Sequence, residues 1–413
     1  MRNGPALILF APDLTDISTI KRAHAFLEHG FDLVVFGFRR NRYNTGYVPR
    51  WPHVELGRTA DRRYWRRIAA LIRALRILVA RRRLLSDATL FYARNIDQLL
   101  LALLVRRLFG ADAEVVYEVL DVQPALAGRG IMATALRAIE RFCLRRVKLL
   151  VVSSPGFMHN YYLPVQRYAG EWYLLENKLD PSTLPPRTAV QPHTAEDRGP
   201  PRRWVVGYFG LIRGQETLEL IARLAERLRQ HVVFRFRGIL TTVDHERFFE
   251  VTRQHENIQY DGDYVSPRDL AAIYGEVDFA WALDLEHVEH NSRWLLPCRF
   301  YEAGLMGVPC LAAHGFEVGR LVERLGVGWT FDTPFEDALV TFFTGLTQEE
   351  YGRKRQRLAK LPSSTFVAGA DIDELCELLR SEASAQLAEM KTPSRAARPA
   401  LPVVGAARSP DAD

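Results

Sequence analysis

The hydrophobic pattern of the first third of the chain alternates between continuous apolar runs and amphipathic stretches. Residues 6–11 and 30–37 are apolar runs that predict buried parallel strands, and residues 18–28 between them predict a helix. Further short apolar runs lie at 89–93, 114–118 and 148–153. Strands that alternate with helices predict a parallel sheet covered by helices on both faces.

The same alternation begins again after residue 203. A strand is predicted at 204–210, followed by a short loop and an amphipathic helix at 217–229. Additional strands are predicted at 233–238, 257–262 and 277–283. The chain therefore contains two α/β units in succession.

A length of 413 residues exceeds what one hydrophobic core usually serves, and this agrees with two domains. The segment 181–202 between the two patterns is rich in proline and polar residues and has no apolar period, which predicts a linker. The predicted divisions are an N-terminal Rossmann-like domain at 1–175, a linker at 176–203, a second Rossmann-like domain at 204–365, a helix at 366–384 and a disordered tail at 385–413.

Cysteine usage and the apolar runs indicate a cytosolic location. The 4 cysteines lie in apolar contexts without CxxC spacing, which favours reduced thiols over disulfides or zinc ligands. No signal pattern precedes the first strand, and the apolar run 99–105 is too short to span a bilayer.

Candidate chemistry is concentrated in residues 291–312. Arg299 and Glu302 are three residues apart, so on a helix they share one face, and Gly307 with Pro309 ends that helix before a short apolar strand. A nucleotide sugar offers a diphosphate to the arginine and ribose hydroxyls to the glutamate. The alternative is an ordinary surface ion pair on an amphipathic helix.

This segment resembles the donor-binding motif of family 4 glycosyltransferases, which have a basic residue three positions before Glu and then a small residue, Gly and Pro. The family usually has a second Glu eight residues earlier, which contacts the donor sugar, and Trp294 stands at that place here. The resemblance covers about residues 204–335. It implies a GT-B fold, in which two Rossmann-like α/β domains face each other across a cleft.

The loop after the strand at 204–210 is a second candidate for donor binding. Glycine permits close backbone approach to a ligand, and a helix N-terminus with an adjacent arginine favours an anion. The corresponding loop of family 4 enzymes cradles the donor diphosphate, which implies that role for Gly210 and Arg213. The alternative is a plain βα turn.

The N-terminal half is less specific. Residues 16–22 resemble the first acceptor-side loop and helix of the family, and residues 117–121 lie where relatives often have Tyr-Asp-x-His-Asp. Leu120 occupies the histidine place, which leaves Glu118 and Asp121 as the catalytic candidates on the cleft wall. Alternatively, these two acids cap the following helix.

No Asp-x-Asp run lies at a predicted strand end. His287 and His290 with their neighbouring glutamates suggest a metal, but no third ligand is evident, and a solvated loop is the preferred interpretation. We therefore expect metal-independent transfer without a cofactor, in which Arg213 and Arg299 neutralise the leaving diphosphate and Glu302 orients the ribose. The resemblance implies retention of anomeric configuration.

The stretch 61–83 is amphipathic and rich in arginine. Tyr64, Trp65 and the aliphatic residues share one helical face, and arginines such as Arg62 and Arg66 lie opposite. This pattern fits either a core helix or a contact with an anionic membrane surface, and the basic character of the chain, with a pI near 9.2, favours the membrane. No stacking-aromatic motif or recognised module supports binding to nucleic acid.

Together these observations predict a glycosyltransferase resembling the family 4 enzymes of bacterial exopolysaccharide pathways, including the succinoglycan type. The expected partners are a nucleotide-sugar donor, most simply a UDP-sugar, and a polyprenyl-linked glycan acceptor, with the protein in the cytoplasm or peripheral on the cytosolic membrane face. Two alternatives remain open: a GT-B sugar-nucleotide epimerase, and a non-catalytic scaffold that binds glycans or membranes.

Overall fold

Two compact α/β units make up the computed structural model, which describes residues 4–40, 46–58, 74–128, 130–184 and 203–391. Of the described residues, those from 4 to 153, 157 to 175 and 370 to 391 form the first unit, and those from 154 to 156 and 176 to 369 form the second. The chain therefore returns to its first unit after completing the second.

The first unit is built on a seven-stranded parallel sheet with the order β3-β2-β1-β4-β5-β6-β7. Its strands are β1 (Ala6–Ala11), β2 (Asp32–Arg39), β3 (His53–Arg58), β4 (Leu90–Arg94), β5 (Glu114–Val119), β6 (Leu149–Val152) and β7 (Glu171–Leu174). Its helices are α1 (Ile17–Glu28), α2 (Arg82–Ser86), α3 (Ile96–Phe109), α4 (Pro124–Ala127) and α5 (Ile131–Leu144), with a π-helix at Met158–Tyr162. Central strands such as β1 are continuous apolar runs because helices cover both faces of the sheet.

The second unit contains a six-stranded parallel sheet with the order β10-β9-β8-β11-β12-β13. Its strands are β8 (Trp204–Ile212), β9 (Val232–Leu240), β10 (Ile258–Tyr260), β11 (Phe279–Trp281), β12 (Cys310–Ala313) and β13 (Gly328–Phe331). Its helices are α6 (Gln215–Arg227), α7 (His245–Gln254), α8 (Leu270–Gly275), α9 (Asn291–Trp294), α10 (Cys298–Leu305), α11 (Glu317–Leu325), α12 (Phe335–Gly345) and α13 (Gln348–Ala359).

Each sheet has one point at which the strand order reverses. In the first unit it lies between β1 and β4, and in the second between β8 and β11. Ligands of open parallel sheets bind at such switch points, beyond the carboxyl ends of the strands. Each unit therefore offers one expected ligand position, and the predicted donor-side residues belong to the second.

The C-terminal helix α14 (Ala370–Lys391) differs from prediction in extent. Its backbone continues through 385–391, which the sequence assigned to a disordered tail, while 392–413 lie outside the described residues. Leu375, Cys376 and Leu379 are buried in the same hydrophobic core as strands β1 and β2, so the helix belongs to the first unit.

Two further predictions, the linker at 176–203 and the amphipathic stretch 61–83, fall only partly within the described residues. Residues 176–184, expected to begin a linker, lie in the second unit, where the Leu179 amide donates to the Phe366 carbonyl over 2.9 Å; residues 185–202 lie outside the described part. Of the stretch 61–83, only 74–83 are described; 74–80 are helical, and Leu78 is buried whereas Val79, predicted on the same face, is half exposed.

Candidate functional site

The candidate site lies at the switch point of the second sheet, beyond the carboxyl ends of β8 and β11. Arg213 follows β8, and Asp284 lies three residues after the end of β11. The helix α10, which carries Arg299 and Glu302, follows β11 along the chain. The topology therefore brings three separate sequence motifs to one edge of the sheet.

Arg213 is held by acidic side chains. Its Nε donates to Asp284 Oδ2 over 2.6 Å, its Nη2 contacts the same carboxylate, and Glu286 Oε2 lies 3.6 Å from Nε. Asp284 is buried and Arg213 is partly buried, so this pair is shielded from bulk water. The positive charge of Arg213 is therefore already offset by two carboxylates.

Arg299 is bound in a different way. Its Nη1 donates to the Trp281 carbonyl over 3.2 Å and its Nη2 to the Leu211 carbonyl over 3.3 Å, so the guanidinium bridges the ends of β11 and β8. It also lies over the Tyr208 ring, with Cζ 4.5 Å from the centroid. Burial lowers the pKa of Arg299, but its interactions with the Tyr208 hydroxyl group and the Asp284 carboxylate outweigh this effect, and the pKa is raised. The side chain is thus a fixed cation at the switch point.

Glu302 is buried, with 8% of its surface exposed. Its Oε2 accepts a hydrogen bond from the Tyr274 hydroxyl over 3.1 Å, and burial together with the charge of Glu302 raises the pKa of Tyr274 well above its usual value. The same two causes raise the pKa of Tyr264. This geometry differs from an exposed surface ion pair, because Glu302 is buried and the guanidinium of Arg299 bonds to carbonyl groups.

Gly210, Gly238 and Gly214 near the site have different structural roles. Gly210 lies within β8 rather than in the turn, at a φ of +98°, and faces Gly238 of β9. A Cβ added to Gly238 would lie 1.9 Å from the Gly210 carbonyl oxygen, so this close strand contact requires glycine. The turn glycine is Gly214, which adopts a φ of +83° immediately before α6. Donor binding by the Gly210 backbone stays a prediction.

Sequence reasoning missed Tyr208, Tyr274 and Asp284 as members of this site. Asp284 follows a predicted strand, and that position was a usable signal for a residue at the sheet edge. Tyr208 and Tyr274 gave no such signal, because each lies in an apolar run and only the fold places its hydroxyl or ring beside a charged group.

The two catalytic candidates lie in the first unit and have contrasting surroundings. Glu118 is buried at the end of β5 and accepts from Arg22 Nη2 over 2.7 Å and from Arg94 Nε over 2.8 Å. Burial raises the pKa of Glu118, but the two arginines outweigh it and hold the pKa at about 2. Asp121 lies three residues further on in an exposed loop. The surroundings of Glu118 favour a structural role, and catalysis by either acid stays a prediction.

Within the described ranges, no group of three or more His, Cys, Asp or Glu side chains is arranged to hold a metal ion. His287 and His290 lie beside the short helix α9, where the amide of His287 donates to Ser292 Oγ over 3.2 Å. In the same part of the chain, no helix is both long and apolar enough to cross a membrane.

Comparison with known structures identifies the fold. The sucrose-phosphate synthase of Thermosynechococcus elongatus superposes with a TM-score of 0.68 at 13% identity, over 92% of this chain and 100% of the other. HepE of Anabaena, solved in complex with UDP and glucose, gives 0.65 at 14% identity, over 91% of this chain and 100% of the other. The lipopolysaccharide glycosyltransferase WaaG gives 0.59 at 12% identity, over 90% of this chain and 99% of the other. The chain therefore has the GT-B fold of these proteins, and the predicted fold is confirmed.

One characterised protein is also similar to this chain in sequence. The chain is 29% identical over 404 residues to the succinoglycan biosynthesis protein ExoL of Rhizobium meliloti. The alignment covers 98% of this chain and 97% of the relative. The sequence matches no protein-family model. The resemblance to exopolysaccharide biosynthesis proteins, inferred from the motifs, is thereby confirmed.

Proposed function

We propose that this protein transfers a hexose from a UDP-sugar to a lipid-linked or polysaccharide acceptor in bacterial exopolysaccharide biosynthesis. The observation that carries the proposal is the placement of Arg299 and Glu302 on one helix at the switch point of the second sheet. A relative named for succinoglycan biosynthesis and a structural neighbour solved with UDP support the pathway and the nucleotide.

The geometry suggests a task for each donor-side group. The guanidinium of Arg299 would bind the diphosphate and stabilise the charge that develops on the leaving UDP. The Glu302 carboxylate, oriented by Tyr274, would accept hydrogen bonds from the ribose hydroxyls. Arg213 would contribute to the same electrostatic field, but its pairing with Asp284 makes it a weaker partner for the diphosphate than Arg299.

The proposal includes transfer without a metal ion, retention at the anomeric carbon and action in the cytoplasm. Fixed cations at a sheet edge would stabilise the leaving diphosphate as a metal ion does in other transferases. This supports transfer without a metal ion. Retention rests on the family resemblance, and NMR of the product anomer would test it. Activity in excess chelator would test metal independence.

The donor site is tested by thermal stabilisation with UDP, GDP and ADP, because a ligand that binds only the folded state raises the melting temperature. We expect a UDP-selective shift in the wild type that is lost in Glu302→Ala and kept in Glu289→Ala, a control at an exposed position before α9. Equal shifts with all three nucleotides would contradict a uridine-specific donor.

Release of UDP from a UDP-sugar then separates the transferase from its alternatives. A transferase releases UDP fastest when acceptor is present, whereas an epimerase turns over the donor without any acceptor. A folded protein that binds the UDP-sugar, but neither releases UDP from it nor epimerises its sugar, would support the scaffold.

A further inference from the structure

The outer faces of α3 and α5 in the first unit expose an unusual amount of apolar surface. On α3, Leu100, Leu104 and Leu108 are between 43% and 52% exposed, and their spacing of four places them in one stripe along the helix. A single exposed leucine is ordinary, whereas a contiguous apolar surface marks an interaction site.

Helix α5 continues this surface. Ile131 is 92% exposed, Met132 73% and Phe142 56%, and Ile139 is also exposed. Positions 132, 139 and 142 fall on one face of the helix, with the exposed Ala135 between them. We call the apolar faces of the two helices together the α3–α5 surface.

The two helices form one surface because of the sheet topology. Helix α3 connects β4 to β5 and α5 lies between β5 and β6, which are neighbouring parallel strands. Right-handed crossovers place both helices on the same face of the sheet and make them run in the same direction. They pack against each other, and their C-terminal ends lie at the same edge.

That edge is positively charged. Arg107 is exposed in the last turn of α3, and Arg145 and Arg146 are exposed directly after α5. The guanidinium of Arg146 lies 3.7 Å from the centroid of the Phe142 ring and donates to the Phe142 carbonyl over 2.7 Å. Within the described residues, none of these three arginines makes an ion pair with a carboxylate.

We propose that the α3–α5 surface docks the protein onto an anionic lipid bilayer, with the apolar side chains in the interface and the arginines at the headgroups. Apolar faces flanked by basic residues bind such membranes, and arginines attract the anionic lipids. The exposed side of α5 carries no carboxylate, and the exposed Asp112 after α3 is one acid against Arg107, Arg145 and Arg146, so a second copy on the same surface would leave most of this positive charge uncompensated. This surface is made of other residues than the stretch 61–83, and its binding needs neither nucleotide nor acceptor.

Vesicle co-sedimentation of the full chain tests the apolar part. The probes are vesicles of phosphatidylcholine with and without phosphatidylglycerol. We expect binding only when phosphatidylglycerol is present, and we expect the double variant Met132→Ser/Phe142→Ser to bind about tenfold more weakly or worse, given the apolar area removed. The matched control is Phe249→Ser/Val265→Ser, which changes two similarly exposed apolar residues of the second unit and should bind like wild type.

The contribution of the arginines is tested by Arg145→Glu/Arg146→Glu. We expect vesicle affinity to fall by about fivefold or more per arginine, and wild-type binding to depend strongly on salt. The control Arg324→Glu alters one exposed arginine of the second unit and should leave binding unchanged. Unchanged melting temperatures would establish that all variants fold.

Three outcomes would overturn the proposal. The first is wild-type vesicle binding by both surface variants. The second is conversion of an oligomer into a monomer by Met132→Ser/Phe142→Ser with vesicle binding intact, which would assign the surface to a second copy of the chain. The third is loss of binding in a Trp65→Ser/Arg66→Glu variant while the surface variants bind normally, which would assign the membrane contact to residues 61–83. Because UDP binding is measured separately, failure here would be distinguishable from failure of the proposed transferase.

Discussion

The switch points of the two sheets hold their arginine side chains in different ways. In the first unit, Glu118 is shared by Arg22 and Arg94, and Asp16 lies 3.9 Å from Arg94, so two carboxylates balance two arginines. In the second unit, Arg299 donates to two backbone carbonyls, and among the described residues no carboxylate bonds to it.

The difference indicates where a ligand can bind. A buried cation that is paired with a carboxylate gains little from an incoming anion, because the anion must compete with the existing partner. A cation held by neutral carbonyls is fixed in position and keeps its charge for a ligand. The second switch point is therefore suited to a diphosphate, and the first is suited to holding its own unit together.

The largest expected effect concerns the first switch point. Replacing Glu118 with Gln leaves the buried Arg22 without its carboxylate partner and leaves Arg94 with only Asp16, 3.9 Å away, so we expect the free energy of unfolding to fall by about 3–5 kcal/mol. Chemical denaturation measures this change. The control Glu349→Gln disrupts an exposed i,i+4 pair with Arg353 and should cost no more than about 0.5 kcal/mol. A similarly small loss for Glu118→Gln would remove the contrast between the two sites.

The pH dependence of stability should follow from the same carboxylate. The pKa of Glu118 is about 2 in the folded state, below its ordinary value of 4.5, so its contribution to stability is present above pH 4.5 and is lost as the pH falls towards 2. A shift of this size corresponds to about 3 kcal/mol. Denaturation at a series of acidic pH values should show this loss in the wild type and a flatter profile in Glu118→Gln, and parallel profiles would argue against the pairing.

At the second switch point we expect an effect on binding rather than on stability. Arg299→Met should weaken UDP binding by about 2 kcal/mol, roughly thirtyfold, since it removes charge-assisted hydrogen bonds to the diphosphate. Calorimetry with UDP measures the change. Arg299→Lys should bind with intermediate affinity because lysine keeps the charge without the planar donor geometry. Arg320→Met, at an exposed position on α11, is the control, and equal affinities for all of these proteins would exclude Arg299 from the site.

The smallest effect concerns the hydroxyl that orients Glu302. Tyr274→Phe removes one hydrogen bond to a buried carboxylate, and we expect a loss of about 1 kcal/mol in UDP affinity with little change in fold. Tyr168→Phe removes a similar hydrogen bond, to the Glu171 carbonyl in the first unit, and should leave UDP affinity unchanged. If both variants bind UDP like the wild type, Glu302 is held in place by other contacts.

The fold was predictable because apolar runs flanked by turn residues are a local signal. Strand β1 has the bounds that its apolar run indicates, and β4, β5 and β6 deviate by one or two residues. The edge strands β3, β7 and β13 were missed, since edge strands are half exposed and their sequences mix polar with apolar residues.

The site was predictable only in part for a related reason. Arg299 and Glu302 share a helix, so their proximity follows from sequence spacing. The partners of Arg213 and Glu118 are distant in sequence: Asp284 lies 71 residues after Arg213, and Arg22 lies 96 residues before Glu118. Pairings of this kind depend on strand order, which periodicity does not encode.

The return of α14 to the first unit has a consequence for biosynthesis. Leu375, Cys376 and Leu379 complete a core whose other members come from the beginning of the chain. During translation the second unit leaves the ribosome in full before this last helix is available. The N-terminal sheet is therefore synthesised first but completed last, and until then the nascent protein exposes the apolar face that α14 will cover.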